Sequence, residues 1–153
     1  MNKVIITGTS TGIGNAIAKN LLKQNVTVIG ISRKHTIKHK NYFAIFFDLN
    51  DVRNIKKILD DIIFNHKKID AIISSAGYGV FENLENLKEK EVIDFFNVNL
   101  LAHILISKIL VSHFKKKKTG YFIFMGSEAS LKGNQSPLFM LQLNMVCWGL
   151  LNP

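Results

Sequence analysis

The sequence predicts an α/β fold, a doubly wound parallel sheet, on three observations. Short apolar β-branched runs alternate with longer stretches of helical periodicity, the pattern of a parallel sheet covered by helices on both faces. A glycine-rich turn stands between the first apolar run and the first helical pattern. No repeat, linker or low-complexity segment divides the 153 residues, a length that fits one domain burying about 70% of its unfolded-state surface.

The elements follow in order. Lys3 to Thr7 reads as the first strand, then the glycine-rich turn and a helix from about Ile13 to Lys23. Val26 to Ile31 and Tyr42 to Phe47 read as the second and third strands. A helix is expected over roughly Val52 to His66, because Ile55, Ile58, Leu59, Ile62 and Ile63 fall on one stripe. Ile69 to Ser74 is the fourth strand. Lys88 to Phe114 is a long helix, apolar on nearly every side, which is expected to be buried in the core or against a second subunit. Tyr121 to Met125 is the fifth strand.

Composition excludes several classes. At 47% hydrophobic and 20% charged residues the chain is neither disordered nor fibrous. One cysteine, Cys147, gives no disulfide framework, and Lys3 followed by three apolar residues is no signal peptide. The longest apolar stretch, Val98 to Val111, carries Asn99, His103 and Lys108 and falls short of the roughly 18 residues of a membrane span, so a soluble cytoplasmic domain is expected. The net charge of +9 comes from 18 lysines spread along the chain with only Arg33 and Arg53, and no nucleic-acid recognition motif accompanies it. The run Lys115 to Lys118 reads as a solvated helix end, where cations favour the negative end of the dipole. His35 and His39 stand four apart without a helical pattern or a third ligand, so no metal site is expected.

Chemistry concentrates in Thr7-Gly8-Thr9-Ser10-Thr11-Gly12-Ile13-Gly14. Glycines there let the backbone turn tightly and approach a pyrophosphate, while free amides and the dipole at the helix start hold its negative charge. An ordinary glycine-rich turn is the plain alternative. Dinucleotide sites that select NAD carry a carboxylate at the end of the second strand, about 20 residues past the glycines, to hold the ribose 2′-OH. This chain has Ile31-Ser32-Arg33-Lys34 there, and a hydroxyl beside a guanidinium fork suits a 2′-phosphate that a carboxylate would repel. The expectation is therefore NADP(H) over NAD(H), with Arg33 as a mere surface cation the alternative.

The spacing T-G-x-x-x-G-I-G resembles the short-chain dehydrogenase/reductase family, whose further motifs arrive in order over residues 3 to about 133. The resemblance implies a Rossmann-type sheet of order 3-2-1-4-5 and a cofactor held by Gly8, Thr9, Ser10, Gly12, Ile13 and Gly14. Asp48-Leu49 is similar to the family's adenine-contacting pair, and Ser74-Ser75-Ala76-Gly77 to its N-N-A-G segment, with Ser75, Ala76 and Gly77 on the cofactor. Asn99 matches the asparagine of the proton relay, and Gly126-Ser127 the usual Ser-Ser pair, which makes Ser127 the substrate-orienting serine. The implied reaction is hydride transfer between nicotinamide and a carbonyl or secondary alcohol. Its acid/base is a tyrosine whose pKa a lysine four residues later and the cationic nicotinamide lower.

The family pattern breaks after Ser127. The tyrosine is expected at position 140 and the lysine at 144, where this chain has Met140 and Asn144. Back-translation from the third base of the Phe139 codon, with permitted synonymous codons, spells Y-A-A-T-K-Y-G-V-L-G-F-T-E, including a forced glycine, leucine and glycine. The expectation is that residues 1–133 form the nucleotide-binding portion and 134–153 an aberrant, out-of-frame tail, leaving the domain truncated after the fifth strand. A truncated domain of this kind leaves the fifth strand an open edge and the apolar helix short of cover, which predicts low solubility or marginal stability. Family members are commonly homo-oligomeric, and the interface is expected to be incomplete. The expected function is an NADP(H)-dependent oxidoreductase that is catalytically impaired as translated; a non-catalytic nucleotide-binding or interaction module is the alternative, and a basic nucleic-acid binder a third, motif-less one.

Overall fold

A computed structural model describes residues 1–80, 82 and 84–126, and the architecture below is that of these residues. Five parallel strands form one sheet in the order β3-β2-β1-β4-β5. They are β1 (Lys3–Thr7), β2 (Thr27–Ser32), β3 (Tyr42–Phe46), β4 (Ala71–Ser74) and β5 (Tyr121–Phe124). The helices are α1 (Gly12–Lys23), α2 (Ile55–Asn65), α3 (Glu89–Phe96) and α4 (Ala102–Lys117), with 3-10 turns at Val52–Asn54 and Leu84–Asn86. Chain order reverses between β1 and β4, which opens a crevice beyond the C-terminal ends of these two strands.

The central strands are buried on both faces, as near-continuous Val/Ile runs require. On one face Val4, Ile6, Val28 and Ile73 meet Ala18 and Leu22 of α1. On the other Ile5, Ile29, Ile31 and Ile72 meet Ile55, Leu59 and Ile62 of α2 and Ala102, Ile106, Leu110 and Phe114 of α4.

Boundaries differ from expectation for local reasons. Val26 N–H bonds back to Leu21 O and Asn25 takes φ 60°, so Val26 closes α1 instead of opening β2, while Ser32 O accepts from Phe47 N–H and extends β2 by one residue. Val52–Asn54 forms a 3-10 entry to α2, set by the bond from Asn54 N–H to Asp51 O (3.2 Å). The long helix is continuous from Glu89 to Lys117 but is interrupted by a π turn at Asn97–Leu101, where Ala102 N–H reaches five residues back to Asn97 O. It outlasts Phe114 by three residues, and Lys117 is not solvated as expected: its ammonium meets the Asp70 carboxylate and donates to Ile69 O (3.0 Å).

One expectation about this helix needs revision. At 29 residues, Glu89–Lys117, it is long and apolar enough to cross a membrane by length and composition, whereas the apolar stretch 98–111 alone is too short. Burial in the core covers one side only, which leaves the second-subunit alternative for the other. Phe95, Ala102, Ile106, Leu110 and Phe114 pack inward, whereas Ile93, Phe96, Leu101, Ile104 and Val111 are exposed. β5 pairs with β4 alone among the described residues and exposes Tyr121 and Ile123.

Candidate active site

The site is built from the loops beyond the C-terminal ends of β1, β2, β3 and β4. Gly8 and Gly12 hold φ of 75° and 60°, in the left-handed region that favours glycine. A Cβ on Gly8 would stand 2.8 Å from Ala76 Cα, and one on Gly14 would stand 2.5 Å from Gly8 O. The loop after β1 thus lies directly on the segment after β4, and the first turn of α1 lies directly on the loop. Thr7 locks the first of these contacts, since its buried Oγ1 accepts the N–H groups of both Ser75 and Ala76 at 3.0 Å. Gly8 N–H also bonds Ile31 O (2.9 Å), tying the loop to β2.

The start of α1 suits an anion. Its N-cap, Thr11, makes no side-chain capping bond, and no acidic residue stands in the first turn. The positive dipole end of this turn is therefore offset by neither a side-chain cap nor an acidic residue of the turn. Ile13 is exposed at this turn, Ser10 is half-buried, and Thr9 is fully buried with its hydroxyl turned inward on the Tyr42 hydroxyl (2.8 Å).

At the end of β2, Ser32 is buried and Arg33 and Lys34 are exposed. No acidic residue precedes Asp48 in the chain, against seven lysines and arginines. Asp48 itself is exposed and folded into a turn in which its Oδ1 accepts Asn50 N–H (3.0 Å), while Leu49 points into the core. Arg33 and Asp48 both act electrostatically on Tyr78, so all three converge at this end of the sheet.

Asn99 lies within the π turn and grips the backbone of Tyr78 at two points: its Oδ1 accepts Tyr78 N–H (2.8 Å) and its Nδ2 donates to Tyr78 O (3.0 Å). Gly77 makes room for it, because a Cβ there would stand 2.7 Å from Asn99 Oδ1. The structure thus brings Gly8, Gly14, Ser75, Ala76, Gly77 and Asn99 together. Ser127, Met140, Asn144 and Cys147 lie outside the described residues.

Several supporting residues carry no sequence signal. His103 is buried under Ala76 and donates from Nε2 to Ala76 O (2.9 Å); burial lowers its pKa, so it stays neutral. Asn15 Nδ2 donates to Thr9 O (2.8 Å) and braces the glycine loop from α1. Asn50 bonds Asp94 and Asn97, joining the turn after β3 to the long helix. Tyr78 is the phenol nearest Asn99, yet burial and then the Asp94 charge raise its pKa, the opposite of what a proton donor working near neutral pH needs.

The profile of the short chain dehydrogenase family matches residues 2–137, and the chain belongs to that family. A 3-oxoacyl-[acyl-carrier-protein] reductase FabG of Buchnera aphidicola is 31% identical over 137 residues, spanning 85% of this chain and 56% of the relative. Among solved structures, a short chain dehydrogenase of Leptospira borgpetersenii with bound NAD+ superposes with TM-score 0.89 at 23% identity, over 97% of this chain and 62% of that one. ElxO with NADP bound superposes with TM-score 0.87 at 22% identity, over 97% and 64%. The chain spans about half the length of the curated relatives it matches.

Proposed function

We propose that this chain is the nucleotide-binding portion of an NADP(H)-dependent oxidoreductase that moves hydride between nicotinamide and a carbonyl or secondary alcohol carbon. The observation that carries it is the glycine loop pressed on Ala76 beside an uncapped helix start, a cradle with no room for a Cβ at Gly8 or Gly14. A dinucleotide laid there would have its pyrophosphate on the amides of Ser10 to Gly14 and its adenine beside Asp48 and Leu49. Its nicotinamide end would lie against Ser75, Ala76 and Gly77. When bound, the cofactor supplies the hydride chemistry. The relatives' structures carry NAD+ in one case and NADP in the other. Ser32 and Arg33, in a stretch without any carboxylate, favour the 2′-phosphate of NADP(H).

In this reading Ser127 would orient the substrate oxygen and Asn99 would serve the proton relay, while the chain as translated turns over little or nothing. Met140 and Asn144 can neither donate nor accept the proton that a tyrosine and lysine would handle, and loss of a general acid/base costs about 10²- to 10⁴-fold. The out-of-frame reading of the residues after Gly133 rests on Met140, Asn144 and the shifted-frame Y-x-x-x-K, while the family match itself runs on to residue 137. We place the chain in the cytoplasm, with the long helix as a sheet-packed core helix and a small carbonyl or alcohol as the substrate of the complete enzyme. Titration with NADPH and with a panel of carbonyl compounds tests this: saturable NADPH binding without oxidation is expected, and absence of binding contradicts it. Sequencing the gene tests the tail, which is read correctly only if the shifted frame encodes Y-x-x-x-K.

A further inference from the structure

The loop that carries Arg33 is fastened to the glycine loop by a chain of side-chain hydrogen bonds. Thr9 Oγ1 meets the Tyr42 hydroxyl at 2.8 Å, Tyr42 meets His35 Nδ1 at 2.6 Å, and His35 Nε2 meets Ile45 O at 3.0 Å. The direction of each bond follows from the last. A carbonyl only accepts, so Nε2 carries the proton; in a neutral imidazole Nδ1 then accepts from the Tyr42 hydroxyl, and Tyr42 oxygen accepts from Thr9. Every hydroxyl in the chain is therefore used once as a donor.

The backbone is shaped for this chain. Tyr42 starts β3, and its hydroxyl crosses over Gly30 of β2, where a Cβ would collide with both the Tyr42 hydroxyl and Thr9 Oγ1. His35 is held on its other side by the ring of Phe46, edge-on at 4.6 Å between centroids. A second tie runs in parallel: Asn15 Nδ2 reaches Thr36 Oγ1 (3.3 Å), which donates to Ser10 O (3.4 Å). His35 and Thr36 stand two and three residues beyond Arg33.

We propose that Tyr42 and His35 are specificity-positioning residues, which hold the Arg33 loop at a fixed distance from the pyrophosphate cradle so that one dinucleotide can meet both at once. This deepens the NADP(H) reading above and rests on it. Neither side chain touches the cofactor; each acts through the loop it anchors. The consequence is selective, because only a cofactor with a 2′-phosphate uses both ends of the tie, whereas NADH uses the cradle alone.

The test is the ratio of NADH to NADPH dissociation constants in the full chain and in two variants. Tyr42→Phe keeps the ring over Gly30 and removes the hydroxyl, and His35→Phe keeps the contact with Phe46 and removes both nitrogens. Each variant is expected to lower the preference for NADPH about three- to tenfold, the worth of one well-placed hydrogen bond, with NADH affinity changed less than about twofold. Unchanged preference in a folded variant overturns the proposal, as does equal weakening of both cofactors, which would mark a merely structural role. Should Tyr42→Phe fail to fold, His35→Phe decides alone, since it lies in a half-exposed loop. A wild-type chain that binds neither cofactor, or both equally, removes the NADP(H) reading and the inference with it.

Discussion

Gly8 and Arg33 stand at the two ends of the proposed site at the scale of single residues. At Gly8 an alanine would be strained at φ 75° and would drive its Cβ into the Ala76 backbone, which cannot retreat because Thr7 holds it by two amides. Gly8→Ala should cost about 1–3 kcal/mol of stability and abolish NADPH binding, read by thermal unfolding and titration on one preparation. Arg33→Glu reverses the charge proposed to meet a 2′-phosphate, so NADPH affinity should fall at least about tenfold while NADH affinity holds or rises. An NADPH affinity that survives Arg33→Glu would reduce Arg33 to a surface cation. The tight turn at Gly8 was legible in the sequence, because glycine spacing is a local fact, and the proposal for Arg33 likewise rests on a local fact, the absence of a carboxylate. Tyr42, His35 and Asn15 were not, since their bonds join segments that no periodicity relates.

At the scale of elements, the strands were readable from β-branched runs and the helices from their apolar stripes, but their ends were not. Asp70 illustrates why. It sits just before β4, accepts the N–H groups of Asn2 (2.6 Å) and Lys3 (3.1 Å), and pairs with Lys117, which draws α4 three residues beyond the apolar pattern. Partial burial pushes its carboxyl up, yet the Lys117 ammonium and the two amides outweigh that and hold it at about 2. A carboxylate whose folded pKa is depressed stabilises the fold above its unfolded pKa of about 3.9 and loses that contribution as pH falls toward 2. Asp70→Asn should therefore cost about 1–2 kcal/mol near pH 7, after allowance for partial exposure, and progressively less between pH 4 and pH 2. Denaturant unfolding across that range checks it; a pH-independent difference would mean that geometry, not charge, matters there. Deeper in the same helix, Leu110 is fully buried between the sheet and α2, and Leu110→Ala should cost about 2–5 kcal/mol in the same assay. The π turn at Asn97–Leu101 had no sequence signal at all, although it places Asn99 on the Tyr78 backbone.

For the whole molecule, the sheet order β3-β2-β1-β4-β5 creates the crevice, and the loops on its C-terminal side fill it with glycines, hydroxyls and one arginine. Of the Lys and Arg behind the net charge of +9, seven lie in residues 1–47, which hold no acidic residue and include the proposed phosphate-binding loops. The exposed apolar side of the long helix and the edge of β5, which pairs only with β4 among the described residues, carry the expectation of low solubility, and a soluble monomer with a cooperative thermal transition would count against it. Family membership follows from the match over residues 2–137, whereas the proposed loss of catalysis rests on Met140 and Asn144, beyond that match. The most direct measurement is therefore calorimetric titration of the purified chain with NADPH and with NADH, paired with a spectrophotometric assay of NADPH oxidation over a carbonyl panel. Saturable binding that prefers NADPH, with no oxidation above background, is the predicted result; no binding, or steady turnover by this chain, would contradict it.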